Sequence, residues 1–284
     1  MFNYNFHTHT SYCDGSSLPE EYVRTAIRSG LKSIGFSGHA PVPMENGFAI
    51  RNTESLIKYC EEIGMLKDKY TGVINVFLAL EADYIPGVST TFSHFRKEYD
   101  LDYIIGSVHL VKNTEGNLWF IDGPERNSWL RGLSDDYDMD IRKAVTAYYR
   151  QVSEMVESQK PDILGHFDKV KMHNKGEYFK EDEAWYLDLL LETLDTIKVN
   201  DCIVEVNTRG LYKKRSDNLF PDLDVLREME KLKIPVTISS DAHKPEEINL
   251  LLDIAAKKIA EAGYNEVFIF ENNSWRGIPL SEIL

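Results

Sequence analysis

The sequence predicts an α/β fold in which repeated strand–helix units surround a mainly parallel sheet. Three observations point to it. Short runs rich in β-branched and aromatic residues recur along the chain, and longer stretches of helical period separate them. Most of the histidines fall at the ends of those runs. At 284 residues the chain is long for one domain, but α/β barrels of this size are common, so one unit spanning 1–284 with one large core is expected.

Taken in order, the expected strands are Phe2 to His7, Ser33 to Ser37, Val73 to Glu81, Tyr103 to Ser107, Ile163 to His166, Ile203 to Asn207 and Val236 to Ser240. Val267 to Phe270 is a candidate eighth. The intervening helices are expected at Leu18 to Ser29, Thr53 to Lys69, Asp140 to Ser158, Asp182 to Lys198, Leu223 to Leu232 and Pro245 to Glu261. Ser17 before Leu18-Pro19-Glu20, and Asn52 before Thr53-Glu54, have the chemistry of N-caps, while Gly30 and Gly263 stand where helices should stop. The polar, aromatic-rich stretch from Asn113 to Asp138 is too long for an ordinary connection. It reads as an insertion or lid around 113–138 that shapes the functional face.

Composition narrows the function. Hydrophobic residues at 43% and charged residues at 27% are ordinary for a globular protein. A formal net charge of −14 repels polyanions except at a locally basic or metal-bearing site, so no nucleic-acid partner is expected. Cys13, Cys60 and Cys202 form neither an even framework nor a CxxC pair, which argues against disulfides and zinc ribbons. The N-terminus has no basic segment followed by an apolar one, and no apolar run approaches ~18 residues. A cytoplasmic protein without a membrane span is expected.

Six of the eight histidines, namely His7, His9, His39, His109, His166 and His243, lie at or just beyond the C-terminal ends of expected strands. Asp14, Glu81 and Asp241 occupy similar places. In a parallel barrel those ends converge on one face. Imidazole and carboxylate without thiolate suit Zn²⁺, Mn²⁺ or Fe²⁺ in an open catalytic site. In His7-Thr8-His9 the i and i+2 side chains of an extended chain share a side, and Asp241 and His243 repeat that spacing. Each motif alone has a plainer explanation: HxH on a solvated strand, a histidine bonded to the backbone, an acid in a salt bridge. Their coincidence at six strand ends is what favours a metal site. His94 and His173 lie outside the pattern and are read as structural or solvent-facing.

The ordered series His7-Thr8-His9, Asp14-Gly15, Gly38-His39, Glu81, Ser107-Val108-His109, Gly165-His166-Phe167-Asp168 and Ser239-Ser240-Asp241-Ala242-His243 resembles the polymerase and histidinol phosphatase (PHP) superfamily over nearly the whole chain. Leu80-Glu81-Ala82-Asp83-Tyr84, His166-Phe167-Asp168 and Glu205-Val206-Asn207-Thr208 resemble its histidinol-phosphatase branch. The resemblance implies a distorted (β/α)7 barrel with its active site at the C-terminal ends of the strands. It also implies two or three divalent ions: one held by His7, His9, Glu81 and Asp241, a second sharing Glu81 and held by His109 and His166, a third on Asp14, His39 and His243. Asp14 stands where some relatives use histidine, and its harder oxygen favours Mn²⁺ or Fe²⁺.

The implied reaction is hydrolysis of L-histidinol phosphate to L-histidinol and inorganic phosphate, a step in histidine biosynthesis, by a hydroxide bridging the metal pair linked by Glu81. Asp241 or His243 is the candidate proton donor to the leaving alcohol. Lys171, Arg209 and Lys213 are candidate phosphate-binding cations near strand ends, although clustered loop lysines are also often merely solvated. Three alternatives stay open: a PHP phosphoesterase for another small ester, phosphodiester or nucleotide end; a metal-binding protein without turnover; and a metal-cluster amidohydrolase, whose usual bridging lysine is here replaced by Glu81.

Overall fold

The computed structural model describes residues 2–123 and 125–284; Met1, and Pro124 within the expected insertion, lie outside the described residues. In chain order the elements are β1 (Tyr4–Asn5), α1 (Pro19–Arg28), β2 (Ser33–His39), α2 (Thr53–Lys69), β3 (Asn75–Asp83), α3 (Phe92–Tyr99) and β4 (Tyr103–Ser107). There follow β5 (Leu110–Lys112), β6 (Leu118–Phe120), α4 (Arg126–Tyr137), α5 (Ile141–Gln159), β7 (Ile163–Leu164), α6 (Ala184–Val199) and β8 (Ile203–Asn207). The chain ends with α7 (Arg209–Tyr212), α8 (Leu223–Lys231), β9 (Val236–Ser239), α9 (Leu252–Glu261), β10 (Glu266–Glu271) and β11 (Ser274–Pro279).

Among the described residues seven strands form one parallel sheet in the order β1-β2-β3-β4-β7-β8-β9. The two edges meet only at their C-terminal ends, through the bridge between Thr8 and Ala242. There His9 N–H donates to Ala242 O at 2.8 Å and Ala242 N–H donates to His7 O at 3.2 Å. The sheet is thus nearly closed into the expected seven-stranded barrel, and its closing stitch runs between two site motifs, His7-Thr8-His9 and Asp241-Ala242-His243.

Alternation along each strand sorts its side chains between barrel and helices. In β3, Val76, Leu78 and Leu80 face the surrounding helices, while Phe77, Ala79, Glu81 and Asp83 face inward. The barrel interior therefore runs from aromatic at the bottom to acidic at the top. The bottom is plugged by the antiparallel hairpin β10–β11: Phe270 lies 5.0 Å from Phe77, and Trp275 lies 5.2 Å from Phe6 and 5.5 Å from Tyr103, ring centre to ring centre. The candidate eighth strand is this hairpin, outside the barrel sheet, because its aromatic residues have an open barrel end to fill.

The helices outside follow the expected periodicity. In α5, Ala144, Val145, Tyr148, Tyr149, Val152, Met155 and Val156 form one buried stripe, and Asp140 Oδ1 caps Lys143 N–H at 3.0 Å. Asn52 caps α2 through Ser55 N–H at 2.9 Å as expected, whereas α1 starts at Pro19 with Leu18 at its N-cap, so Ser17 is not the cap. Gly30 (φ 76°) and Gly263 (φ 108°) end α1 and α9 in the left-handed region. The expected Pro245 to Glu261 helix is broken. Only a 3-10 turn at Pro245–Glu247 precedes α9, and Leu251 between them is left-handed at φ 62°. The 113–138 stretch is built largely of regular elements. It contributes β6, which pairs antiparallel with β5, and α4, joined by a tryptophan pair, Trp119 and Trp129, with ring centres 5.5 Å apart. No helix among the described residues is long and apolar enough to cross a membrane.

Candidate active site

Glu81, the seventh residue of β3, is 1% exposed and stands at the centre of the upper barrel. Its Oε2 lies 3.2 Å from His7 Nε2, 3.4 Å from His9 Nε2 and 3.1 Å from His39 Nδ1. Its Oε1 lies 3.1 Å from His166 Nε2 and 3.6 Å from His109 Nε2, and accepts from Ser107 Oγ at 2.6 Å. One carboxylate thus addresses two groups of imidazoles from opposite oxygens. Asp241 Oδ1 approaches His9 Nε2 at 3.3 Å and His7 Nε2 at 3.8 Å. Asp14, from the loop after the first strand, faces His243 Nε2 at 3.1 Å, His9 Nδ1 at 3.4 Å and His39 Nε2 at 3.9 Å.

All nine residues expected to bind metal converge in this way. Eight of the nine have donor atoms in three overlapping groups in which every donor lies within 4.8 Å of the others, His7, His9 and Glu81; Glu81, His109 and His166; and His9, Asp14, His39 and His243, while Asp241 adjoins the first through His7 and His9. A fourth grouping, His39, Asp83 and His109, shares two of those residues. His7 Nε2, His9 Nε2, His39 Nδ1 and Asp241 Oδ1 are buried with no hydrogen-bond partner, although they crowd together. Buried polar atoms are normally paired. Lone-pair donors turned toward one another in this manner fit divalent cations, with open-site nitrogen and oxygen chemistry.

The electrostatics agree. Burial works against a charged His7, but Glu205, Glu81 and Asp241 outweigh it and push its pKa up to about 10. His109 behaves likewise, raised to about 10 against burial by Asp83, Asp122 and Glu81. His39 and His243 are instead pushed down to about 4, chiefly by burial and also by the neighbouring His9. Burial would raise Glu81 and Asp241. The histidines around them, and Arg209 for Asp241, hold both carboxyls well below the usual range. Carboxylates and imidazoles are thus tightly coupled across the pocket, and a cation bound among them would take the place of the protons that His7 and His109 hold.

A second tier of acids aims the imidazoles. Glu205 Oε1 lies 2.6 Å from His7 Nδ1, and its Oε2 accepts from His166 N–H at 3.1 Å. Asp83 holds His109 Nδ1 at 3.0 Å and its backbone N–H at 2.9 Å. Each leaves the opposite ring nitrogen, Nε2, facing Glu81. His166 (φ 23°) and Asp241 (φ 52°) are left-handed. A non-glycine residue in that region costs on the order of 1–3 kcal/mol, and such strain collects at functional sites.

A cleft of about 360 Å³ opens over the cluster, lined by Asp14, His39, Glu81, His109, His166, Asp241 and His243 together with Phe48, Phe120, Asp122, Lys169, Arg209 and Arg215. Of the three expected phosphate-binding cations, only Arg209 lines it. Lys171 Nζ is bound by Asp168 at 2.8 Å, Glu181 at 2.9 Å and Asp222, and Lys213 Nζ by Glu247 at 2.5 Å. The cations missed are Lys169 and Arg215. Lys169–Lys171 is a 3-10 turn, in which the period is three, so residues two apart no longer share a side as they would in a strand. Asp83 and Glu205, noted in the sequence only as parts of branch motifs, also belong to the site, and the i, i+2 spacing of Asp83 from Glu81 was a readable signal. His173, by contrast, is structural as expected, its Nε2 bonded to Gly123 O at 2.8 Å, and His94 is exposed.

Comparison with known proteins places this arrangement among relatives. The chain is 29% identical to the histidinol-phosphatase of Bacillus subtilis over 252 residues, 84% of this chain and 92% of that one. The fold matches a Listeria monocytogenes protein described as a histidinol phosphatase with a TM-score of 0.77 at 21% identity, covering 88% of this chain and 99% of that one. It also matches the histidinol phosphate phosphatase of Lactococcus lactis, solved with zinc, L-histidinol and phosphate, with a TM-score of 0.66 at 20% identity, covering 96% of this chain and 98% of that one. The model of the PHP domain family matches residues 5–209, the stretch that carries seven of the nine converging donors. That match spans well over half of the sequence, and this chain belongs to the PHP-domain family.

Proposed function

We propose that the chain is a metal-dependent phosphomonoesterase that hydrolyses L-histidinol phosphate to L-histidinol and inorganic phosphate in cytoplasmic histidine biosynthesis. The observation that carries it is the Glu81 junction, one buried carboxylate shared by two imidazole groups, with a third group on Asp14, His39 and His243 beside it. The substrate class is that of the full-length Bacillus subtilis relative. In this reading His7, His9, Glu81 and Asp241 hold one ion, Glu81, His109 and His166 a second, and Asp14, His39 and His243 a third. Zinc, manganese and iron all suit these donors.

Bound divalent ions supply Lewis-acid charge on the phosphoryl oxygens and raise the acidity of water at the site. The chain's own residues do the rest. Lys169, Arg209 and Arg215 line the same cleft and seat the phosphate oxygens, so that positioning and charge neutralisation, the main needs of phosphoryl transfer, coincide. The attacking water must lose a proton and the departing alkoxide must gain one, and the Asp241–His243 pair lining the cleft is the candidate carrier. His243, whose Nδ1 contacts Asp241 at 3.4 Å, orients that carboxylate.

The test is one preparation. Bound metal is measured by elemental analysis, and phosphate release is compared for L-histidinol phosphate, p-nitrophenyl phosphate and a dinucleotide, with His9→Ala as control. A strong preference for L-histidinol phosphate, reduced by at least about 100-fold in His9→Ala, is expected. Metal binding without that preference would leave a phosphoesterase for another small ester.

A further inference from the structure

The run Lys213-Lys214-Arg215, after α7, divides between two roles. Lys213 is tied to Glu247. Lys214 and Arg215 instead line a separate pocket of about 360 Å³ beside the catalytic cleft, and Arg215 lines both. The segment after β7 supplies the facing wall, with Lys171 and Lys175. Arg215 is half-buried and Lys175 and Lys214 are exposed, so all three of these cations have surface open to solvent.

The charges lining this pocket do not cancel. Lys171 is held by Asp168, Glu181 and Asp222, which also occupies the Glu181 carboxylate on the pocket wall. Among the described residues, Lys175, Lys214 and Arg215 make no side-chain hydrogen bond or ion pair. Of the acids lining the pocket, only Asp217 is left to face them. His173, two residues before Lys175, registers the excess. Burial lowers its pKa most, against Gly123 O and Asp122, which raise it, and Arg215 and Lys175 add to the lowering. Three unpaired cations on one pocket make it locally basic in a chain of net charge −14. Ammonium and guanidinium groups bind phosphate oxygens through charge-assisted hydrogen bonds.

We propose that this pocket is a subsite for inorganic phosphate, held by Lys175, Lys214 and Arg215 outside the cleft. Arg215 cannot serve the cleft and the subsite together, so phosphate in the subsite withdraws it from the bound ester and slows turnover. Saturating substrate does not displace that phosphate, because the two occupy different pockets. The enzyme thereby responds to its own product. The site itself stands on the unpaired cations, and only its effect on turnover rests on the phosphatase reading above.

The experiment counts phosphate per chain by equilibrium dialysis of radiolabelled inorganic phosphate against the metal-loaded protein at constant ionic strength. The native chain, the pair Lys175→Gln with Lys214→Gln, and the pair Lys175→Arg with Lys214→Arg are compared. Hydrolysis of saturating L-histidinol phosphate is assayed on each, with and without added phosphate. The native chain should bind two phosphates, one in the cleft and one in the subsite. The glutamine pair should keep the first and bind the second at least about 10-fold more weakly, since two charged donors are lost, while the arginine pair binds both. Added phosphate should lower kcat in the native chain and the arginine pair and lose that effect in the glutamine pair. Equal stoichiometry and affinity in the native chain and the glutamine pair overturns the inference. So does loss of both phosphates together, which would make the lysines part of one field over the cleft. Two phosphates with a kcat indifferent to the second would overturn the coupling through Arg215. A subsite that behaves as expected without any turnover of L-histidinol phosphate would instead refute the phosphatase reading and leave the subsite standing.

Discussion

His7 shows how much of the site depends on residues behind it. Its imidazole can present Nε2 to Glu81 only if Nδ1 keeps its proton and its orientation, and Glu205 Oε1 at 2.6 Å enforces both. Glu205→Gln preserves shape and removes the charge. Metal affinity is expected to fall roughly 10–100-fold, read by competition with a chromophoric chelator, while the far-ultraviolet circular dichroism stays unchanged. Unaltered affinity would mean that Glu205 merely fills the barrel. At this scale the nine donors were legible because histidine and acid at strand ends are conspicuous. Asp122 was not: an isolated aspartate in a polar stretch has no periodicity, and only the β5–β6 pairing brings it to the cleft.

Strand positions along the barrel were readable from sequence to within a residue or two for β4 and β8, where β-branched runs are sharply bounded. The outliers share a cause. The chain after β9 was expected to form one helix, yet Glu247 is drawn out of it to accept from His243 N–H at 3.0 Å and to pair with Lys213, so α9 begins only at Leu252. A contact across the site outweighed local propensity. The β10–β11 hairpin makes the same point at the other end of the barrel. Phe270, 4% exposed, packs on Phe77, Tyr103 and Trp275. Phe270→Ala should cost about 3–5 kcal/mol of stability, seen as a lower midpoint in urea, with bound metal retained in the fraction still folded. A change under about 1 kcal/mol would mean that the plug is dispensable.

For the molecule as a whole, folding brings to one place donors from the first and last strands of the sheet, in a chain of net charge −14. Ions that bind the native but not the unfolded chain add about 2.7 kcal/mol of stability at a hundred times their dissociation constant. Removing them with a chelator is therefore expected to lower Tm by roughly 5–10 °C, restored by adding back Zn²⁺ or Mn²⁺. A Tm indifferent to chelation and re-addition would argue against a resident cluster.

Sequence alone determined the alternating strand–helix order, the converging histidines and acids, and the resemblance that named the family. These are local properties: periodicity marks an element, and a strand end marks a donor. Tertiary structure decided what depends on distance between remote segments. It tied Lys171 and Lys213 into salt bridges and brought Lys169, Arg215, Phe48 and Asp122 to the cleft. It also stitched the barrel closed through Thr8 and Ala242. The physical reason is that a side chain's partner is set by where the barrel's loops fold over one another, and residues tens to hundreds of positions apart leave no periodic trace of that meeting.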